Sequence, residues 1–160
     1  MSVVVRALDI AYDQLRGQKD DLRQLRNQAS ICAAICGLVG SLFGQLARAA
    51  GVSITSCETA CAFGISVWLL LALSLIFFSV SFAVAAIISW RECTFELGIG
   101  RFEHAIDQKE DLDEFYKELA ISADKFFDEN EDVLAEVRLK LAASLITAWL
   151  QIPAWIMFIF

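Results

Sequence analysis

Proline, histidine and, over long stretches, charge are what this chain lacks. Pro153 is the single proline in 160 residues, so nothing else in the chain removes a helix donor. His104 is the single histidine, and no other ligands stand at the spacing a zinc site needs. No Gly-rich phosphate loop, nucleophile elbow or metalloprotease helix is present. No cofactor, metal or catalytic residue is therefore expected, and the chain is not read as an enzyme. The missing charge says most. Asn27 to Ala47, Thr59 to Trp90 and Leu141 to Phe160 contain no Asp, Glu, Lys or Arg. Transporters and intramembrane enzymes place ionisable groups at membrane depth, and these stretches offer none.

What is present is apolar. Hydrophobic residues make up 58% of the chain, above the roughly 45–50% of an ordinary soluble domain. A helix needs roughly 20 apolar residues to cross about 30 Å of hydrocarbon. Each uncharged stretch has that length, so the sequence predicts an all-α integral membrane protein with three transmembrane helices. The expected organisation is an amphipathic cytoplasmic helix over 1–28, a two-span hairpin over 29–90, an acidic cytoplasmic helical region over 91–140 and a third span over 141–160. The second stretch exceeds one crossing, and its expected core is Gly64 to Ile87. Trp68 and Trp90 are 22 residues apart. That is about 33 Å along a helix, which suits anchors at the two interfaces. Gln151 and Pro153 sit near the middle of the third span, where a kink is expected.

In the N-terminal arm Val4, Leu8, Ala11, Leu15, Gln18, Leu22, Leu25 and Ala29 recur at heptad-like steps, with charged residues on the other faces. Two readings are open: the seam packs on another helix of the same chain, or it forms a coiled coil between subunits with Gln18 setting the register. Past Gly17 no breaker separates this arm from the first span, so the helix is expected to run on into it. The charged run before that span, with Asp9, Asp13, Asp20 and Asp21 in it, is unlike the n-region of a secretory signal.

Small residues line the first span. Ala29, Ala33, Gly37 and Ser41 form one ridge at four-residue spacing, and Cys32, Cys36, Gly40 and Gly44 form the next. Small residues let helices approach closely in lipid. Ala33, Gly37, Gly40, Ser41 and Gly44, together with Leu8, Leu15 and Leu22, are the candidate packing or oligomerisation residues, and contact within the chain and between subunits are both open. Of the serines in the second span, Ser74, Ser79, Ser81 and Ser89, the common behaviour is a bond back to the helix's own backbone. Cys32 and Cys36 are read as small apolar residues. Cys57 and Cys61 have the option of pairing in an oxidising loop, and Cys93 is a candidate for lipidation.

Net charge is −7 and unevenly placed. Residues 1–28 hold five basic and four acidic side chains, whereas 91–140 hold seven basic and fifteen acidic. An acidic middle argues against nucleic acid, which is bound by neutralising phosphates. The carboxylates Asp107, Glu110, Asp111, Asp113, Glu114 and Glu118 are spread around a helix, without the turn glycine of a calcium loop, and read as a solvated face. Phe102, Ile106, Leu112, Phe115, Tyr116, Leu119, Ala123 and Phe126 predict helix, Gly98 and Gly100 a bend, and Asp128, Glu129 and Asn130 a turn and N-cap before a last helix that continues into the third span. Lys and Arg flank the first span at its start and the third at its start, with only Arg48 between the first two spans. The positive-inside rule then puts the N-terminus and residues 91–140 in the cytoplasm of a multi-pass cell-membrane protein.

The order of features carries a resemblance. A charged helix with Tyr12-Asp13 leads to Leu22-Arg23-Gln24-Leu25-Arg26-Asn27-Gln28-Ala29, then to a small-residue span ending Ser41-Leu42-Phe43-Gly44, then to a second span. Over residues 1–90 this resembles small bacterial membrane proteins of the SLATT-like type, which accompany nucleotide-second-messenger defence systems. The resemblance implies a pore-forming or membrane-disrupting effector that assembles as a homo-oligomer in the lipid bilayer. The third apolar segment departs from a plain two-span effector. The other expectation, from the acidic helices alone, is a membrane-anchored module that recruits a soluble protein partner.

Overall fold

A computed structural model of the chain describes residues 3–52, 61–62, 65–88, 93–95 and 111–160. The described residues are mostly helical: α1 spans Val3–Ala49, α2 spans Val67–Ile87 and α3 spans Leu112–Ile159. Two short antiparallel strands, β1 (Cys61–Ala62) and β2 (Ile65–Ser66), precede α2, with Cys61 opposite Ser66. All three helices are long and apolar enough to cross a membrane.

α1 is a single helix of 47 residues, about 70 Å at 1.5 Å per residue. Gly17 lies inside it, and a methyl group there meets nothing within 4 Å, so the glycine breaks neither backbone nor packing. The helix stops at Gly51, whose φ of +69° L-residues with side chains avoid. There the Gly51 N–H donates to Arg48 O at 3.1 Å and the Val52 N–H to Ala47 O at 3.1 Å. Those two bonds are a Schellman motif, which satisfies carbonyls the last turn leaves open.

α3 is one helix of 48 residues, with Pro153 inside it. The expected turn at Asp128–Asn130 is therefore corrected: the helix passes straight through. Asn130 does not cap. It is buried, and its amide is spent on Thr94, accepting from the Thr94 N–H at 3.1 Å and donating to the Thr94 carbonyl at 2.9 Å. The buried stripe Phe115, Leu119, Ala123, Asn130, Val133, Leu134, Val137, Leu141 and Ser144 runs on at helical spacing across the supposed break.

The chain divides into two units, Met1–Gln24 with Ser89–Glu136, and Leu25–Ile88 with Val137–Phe160. The first unit has a core of Leu15, Phe115, Leu119 and Ala123, with Leu8, Ala11, Tyr116, Phe126 and Phe127 packed against it. The N-terminal seam thus buries itself against α3 of the same chain. Gln18, the polar member of the seam, is buried and donates through Nε2 to Phe127 O at 3.0 Å and to Glu131 Oε2 at 3.4 Å.

The second unit is a three-helix arrangement with α1 and α3 parallel. Cys32 meets Ser144, and Phe43 stacks on Trp155 with ring centroids 6.0 Å apart; both pairs are 112 residues apart in sequence. α2 runs antiparallel to them, because Cys36 meets Ser79 whereas Gly40, further along α1, meets Ile76. α1 and α3 therefore start from the same end of this unit. Its outer surface is apolar: Leu38, Phe77 and Trp149 are 63%, 67% and 71% exposed. An exposed belt of that kind is a liability in water and the normal surface of a helix in lipid.

Candidate functional site

The centre of the second unit is polar, and it joins all three helices. Ser79 of α2 donates its hydroxyl to the Ser144 carbonyl of α3 at 2.9 Å, and Ser144 returns its own to the Ser79 carbonyl at 2.8 Å. A hydroxyl has one proton. Both protons are therefore committed to backbone oxygens, and the 3.3 Å contact between the two hydroxyl oxygens carries none. The thiols of α1 then donate inward: Cys36 Sγ lies 3.0 Å from Ser79 Oγ, and Cys32 Sγ lies 3.3 Å from Ser144 Oγ. Cys36, Ser79 and Ser144 are all completely buried. Polar contacts of this kind hold helices in register where hydrophobicity supplies no drive. Ser79 thus departs from the expected self-bonding of membrane serines, whereas Ser74 follows it, donating to Leu71 O at 2.8 Å.

The candidate packing residues separate into inward and outward sets. Leu15 and Leu22 are buried and Leu8 half-buried within the chain's own core. Gly40 is half-buried, and a methyl group there would sit 3.0 Å from Ile76 Cδ1, so this glycine permits the close approach of α1 and α2. Ala33 is half-buried. Gly37, Ser41 and Gly44 are exposed, and neither glycine has an atom within 4 Å of an added methyl group. Ser41 donates to Leu38 O of its own helix at 2.9 Å. The two four-residue ridges do not stay on one face for a simple reason. At 3.6 residues per turn, each four-residue step rotates about 40° past a full turn. The ridge that begins buried at Cys32 and Cys36 has wound onto the outer surface by Gly44.

Two grooves open on this unit. One, of about 470 Å³, lies among the ends of the three helices and is lined by Gly44, Arg48, Val52, Leu69, Trp155 and Phe158, among others. Trp155 is 4% exposed and held by Phe43 on its face and by an edge contact with Phe158, yet its indole Nε1 has no hydrogen-bond partner. The other, of about 240 Å³, runs between α1 and α3 past Cys32, Ile35, Trp149 and Gln151. Gln151 is buried, and its Oε1 has no partner. In the first unit a surface groove of about 410 Å³ lies by Tyr12, Arg16, Lys19, Asp20 and Phe95.

Trp68 lies exposed in the first turn of α2, while Trp90 lies outside the described residues. So do His104, Asp107, Glu110 and Cys57, with the expected bend at Gly98 and Gly100. Asp111, Glu114 and Glu118 are exposed. Among the described residues no group of three or more His, Cys, Asp or Glu is placed to hold a metal. Cys32 and Cys36 form no disulfide. No family model matches the chain, and no curated protein and no solved structure matches it.

Proposed function

We propose that the protein is a non-enzymatic multi-pass membrane protein that self-associates through the outward face of α1 and perturbs the bilayer as an assembly. The observation that carries this reading is the division of the small residues. Gly40 is occupied within the chain, whereas Gly37 and Ser41 are exposed, with nothing within 4 Å of the methyl group Gly37 lacks. In lipid, where close van der Waals contact drives helix association, such a face is a surface for another helix. The uncharged spans support it, since they offer no ion-coupling or catalytic group. In this topology α1 and α3 enter the membrane from the cytoplasm, following the Lys and Arg that precede their apolar parts. A role as an effector in a bacterial defence system adds the SLATT-like resemblance to this reading.

The test is the mass of the detergent-extracted protein by light scattering, corrected for bound detergent, for wild type, Gly37→Leu and Ser41→Leu. A discrete oligomer that falls to monomer in both variants, together with dye leakage from vesicles that only the oligomer causes, is the expected result. A wild-type monomer overturns it.

One observation favours a second reading, a membrane-anchored module that recruits a soluble partner. The first unit has its own core, and its α3 surface carries exposed Glu114, Glu118, Asp124, Asp128, Glu129 and Asp132. A basic partner retained by that surface, with no leakage from vesicles, is the outcome belonging to this reading.

A further inference from the structure

We infer that the groove of about 470 Å³ at the ends of the three helices is a binding site for an anionic lipid, which seats its head on Arg48 and one acyl chain against Leu69, Trp155 and Phe158. The inference rests on the reading of these helices as membrane spans. Its volume is within the roughly 300–1,000 Å³ of small-molecule sites. The chemistry of its wall is divided. Val52, Leu69 and Phe158 supply an apolar side, suited to hydrocarbon, and Gly44 leaves the floor open, with nothing within 4 Å of the methyl group it lacks. One cation interrupts that wall: Arg48, in the last turn of α1, lines the groove and is exposed.

The apolar side is held in place, because Phe43 lies parallel to the Trp155 ring with centroids 6.0 Å apart and planes 9° apart, and Phe158 meets that ring edge-on. An occupant with negative charge complements Arg48. An anionic phospholipid brings that charge a short distance from a chain that matches the apolar wall. The source is fixed by place. Arg48 is the first charged residue after the uncharged run of α1, so it falls where a spanning helix leaves hydrocarbon and meets head groups. In the proposed topology this is the leaflet away from the cytoplasm.

Arg48 also has an ordinary role, since a cation in the last turn of a helix is favoured by the macrodipole. The experiment separates the two. The full chain is reconstituted in equal parts of phosphatidylglycerol and phosphatidylcholine, and insertion is scored by flotation with the vesicles. Lipids retained after extraction are counted by native mass spectrometry, and Tm is read in each lipid alone. Wild type is expected to retain about fivefold more phosphatidylglycerol than phosphatidylcholine, the preference one cation gives near a membrane surface. Arg48→Gln is expected to abolish the preference. Gly44→Leu, which fills the groove, is expected to prevent retention of both lipids. Equal retention of the two lipids by wild type overturns the site. So does an Arg48→Gln variant that loses the same Tm in both lipids while keeping the preference, since that is a helix-end effect alone. A chain that fails to float removes the membrane reading and this site together, whereas a chain that floats without preference removes only the site.

Discussion

Replacing Ser79 by alanine removes one hydroxyl and two hydrogen bonds from the point where the three helices of the second unit meet. The lost O–H···O bond to the Ser144 carbonyl is 2.9 Å long, and the lost S–H···O contact from Cys36 is 3.0 Å. Interhelical hydrogen bonds in membrane proteins average about 0.6 kcal/mol and reach about 1.7 kcal/mol. The hydroxyl–carbonyl bond is completely buried and belongs in the upper half of that range, while a thiol is a weak donor. Ser79→Ala should then cost about 1–1.5 kcal/mol, and Ser144→Ala the same by symmetry of the pair. The double variant is more informative than either. Each hydroxyl spends its proton on the other residue's backbone, which alanine retains, so the two losses should add with a coupling under about 0.5 kcal/mol. Ser74→Ala is the internal control: its hydroxyl bonds Leu71 O of its own helix and should cost close to nothing. The assay is reversible unfolding in mixed detergent and lipid, followed by steric trapping or far-UV circular dichroism. A coupling of about 1 kcal/mol or more would mean that the hydroxyls bond each other directly and would refute the proton assignment. A Ser79→Ala variant as stable as Ser74→Ala would refute the contact itself.

Three further outcomes follow from local geometry. Gly51→Ala forces an L-residue to a φ of +69° and should destabilise by about 1–2 kcal/mol, read as the fall in unfolding free energy, with no change in mass of the extracted protein. Asn130→Ala releases both hydrogen bonds to Thr94, so amide exchange at Thr94 should quicken sharply while α3 keeps its protection; Asn130→Asp, which can accept but not donate, should release it in part. Gly40→Leu should lower stability by about 1–3 kcal/mol because its side chain collides with Ile76, whereas Gly44→Leu should leave the stability of the monomer near wild type.

The helices were legible in the sequence to differing degrees, and the reasons are physical. The seam from Leu8 to Ala29 was readable because an amphipathic helix writes its buried face at three- and four-residue steps. It continues through Cys32, Cys36, Phe43 and Ala47, all buried or half-buried, and the same spacing would have extended the reading into the first span. Within a span that signal fades, because lipid and protein are both apolar and periodicity no longer separates an inner from an outer face. This is why Gly40 and Gly44, equal in sequence, have different places. The Asp-Glu-Asn run at 128–130 has the chemistry of a helix start, but a buried Asn with the Thr94 backbone to bond is better satisfied inside α3. The link between Ser79 and Ser144 joins residues 65 apart, and nothing local in either segment announces it. The groove by Arg48 was equally hidden, since Trp155 gains its meaning only from Phe43, 112 residues earlier.

The claim on which the rest depends is that α1, α2 and α3 cross a bilayer, with α1 and α3 entering from the same side. Protease protection of the intact chain in sealed vesicles of both orientations tests it most directly. Trypsin added to cytoplasm-out vesicles should cut at Arg16, Lys19, Lys117 and Lys125, all exposed in the first unit, and leave the fragments containing residues 27–47 and 141–160 protected. In vesicles of the opposite orientation those four sites should survive, and Arg48 is the described site left open to cleavage. Cleavage within the N-terminal arm and within residues 112–125 from opposite sides, or digestion of all three apolar segments from either side, would contradict the arrangement.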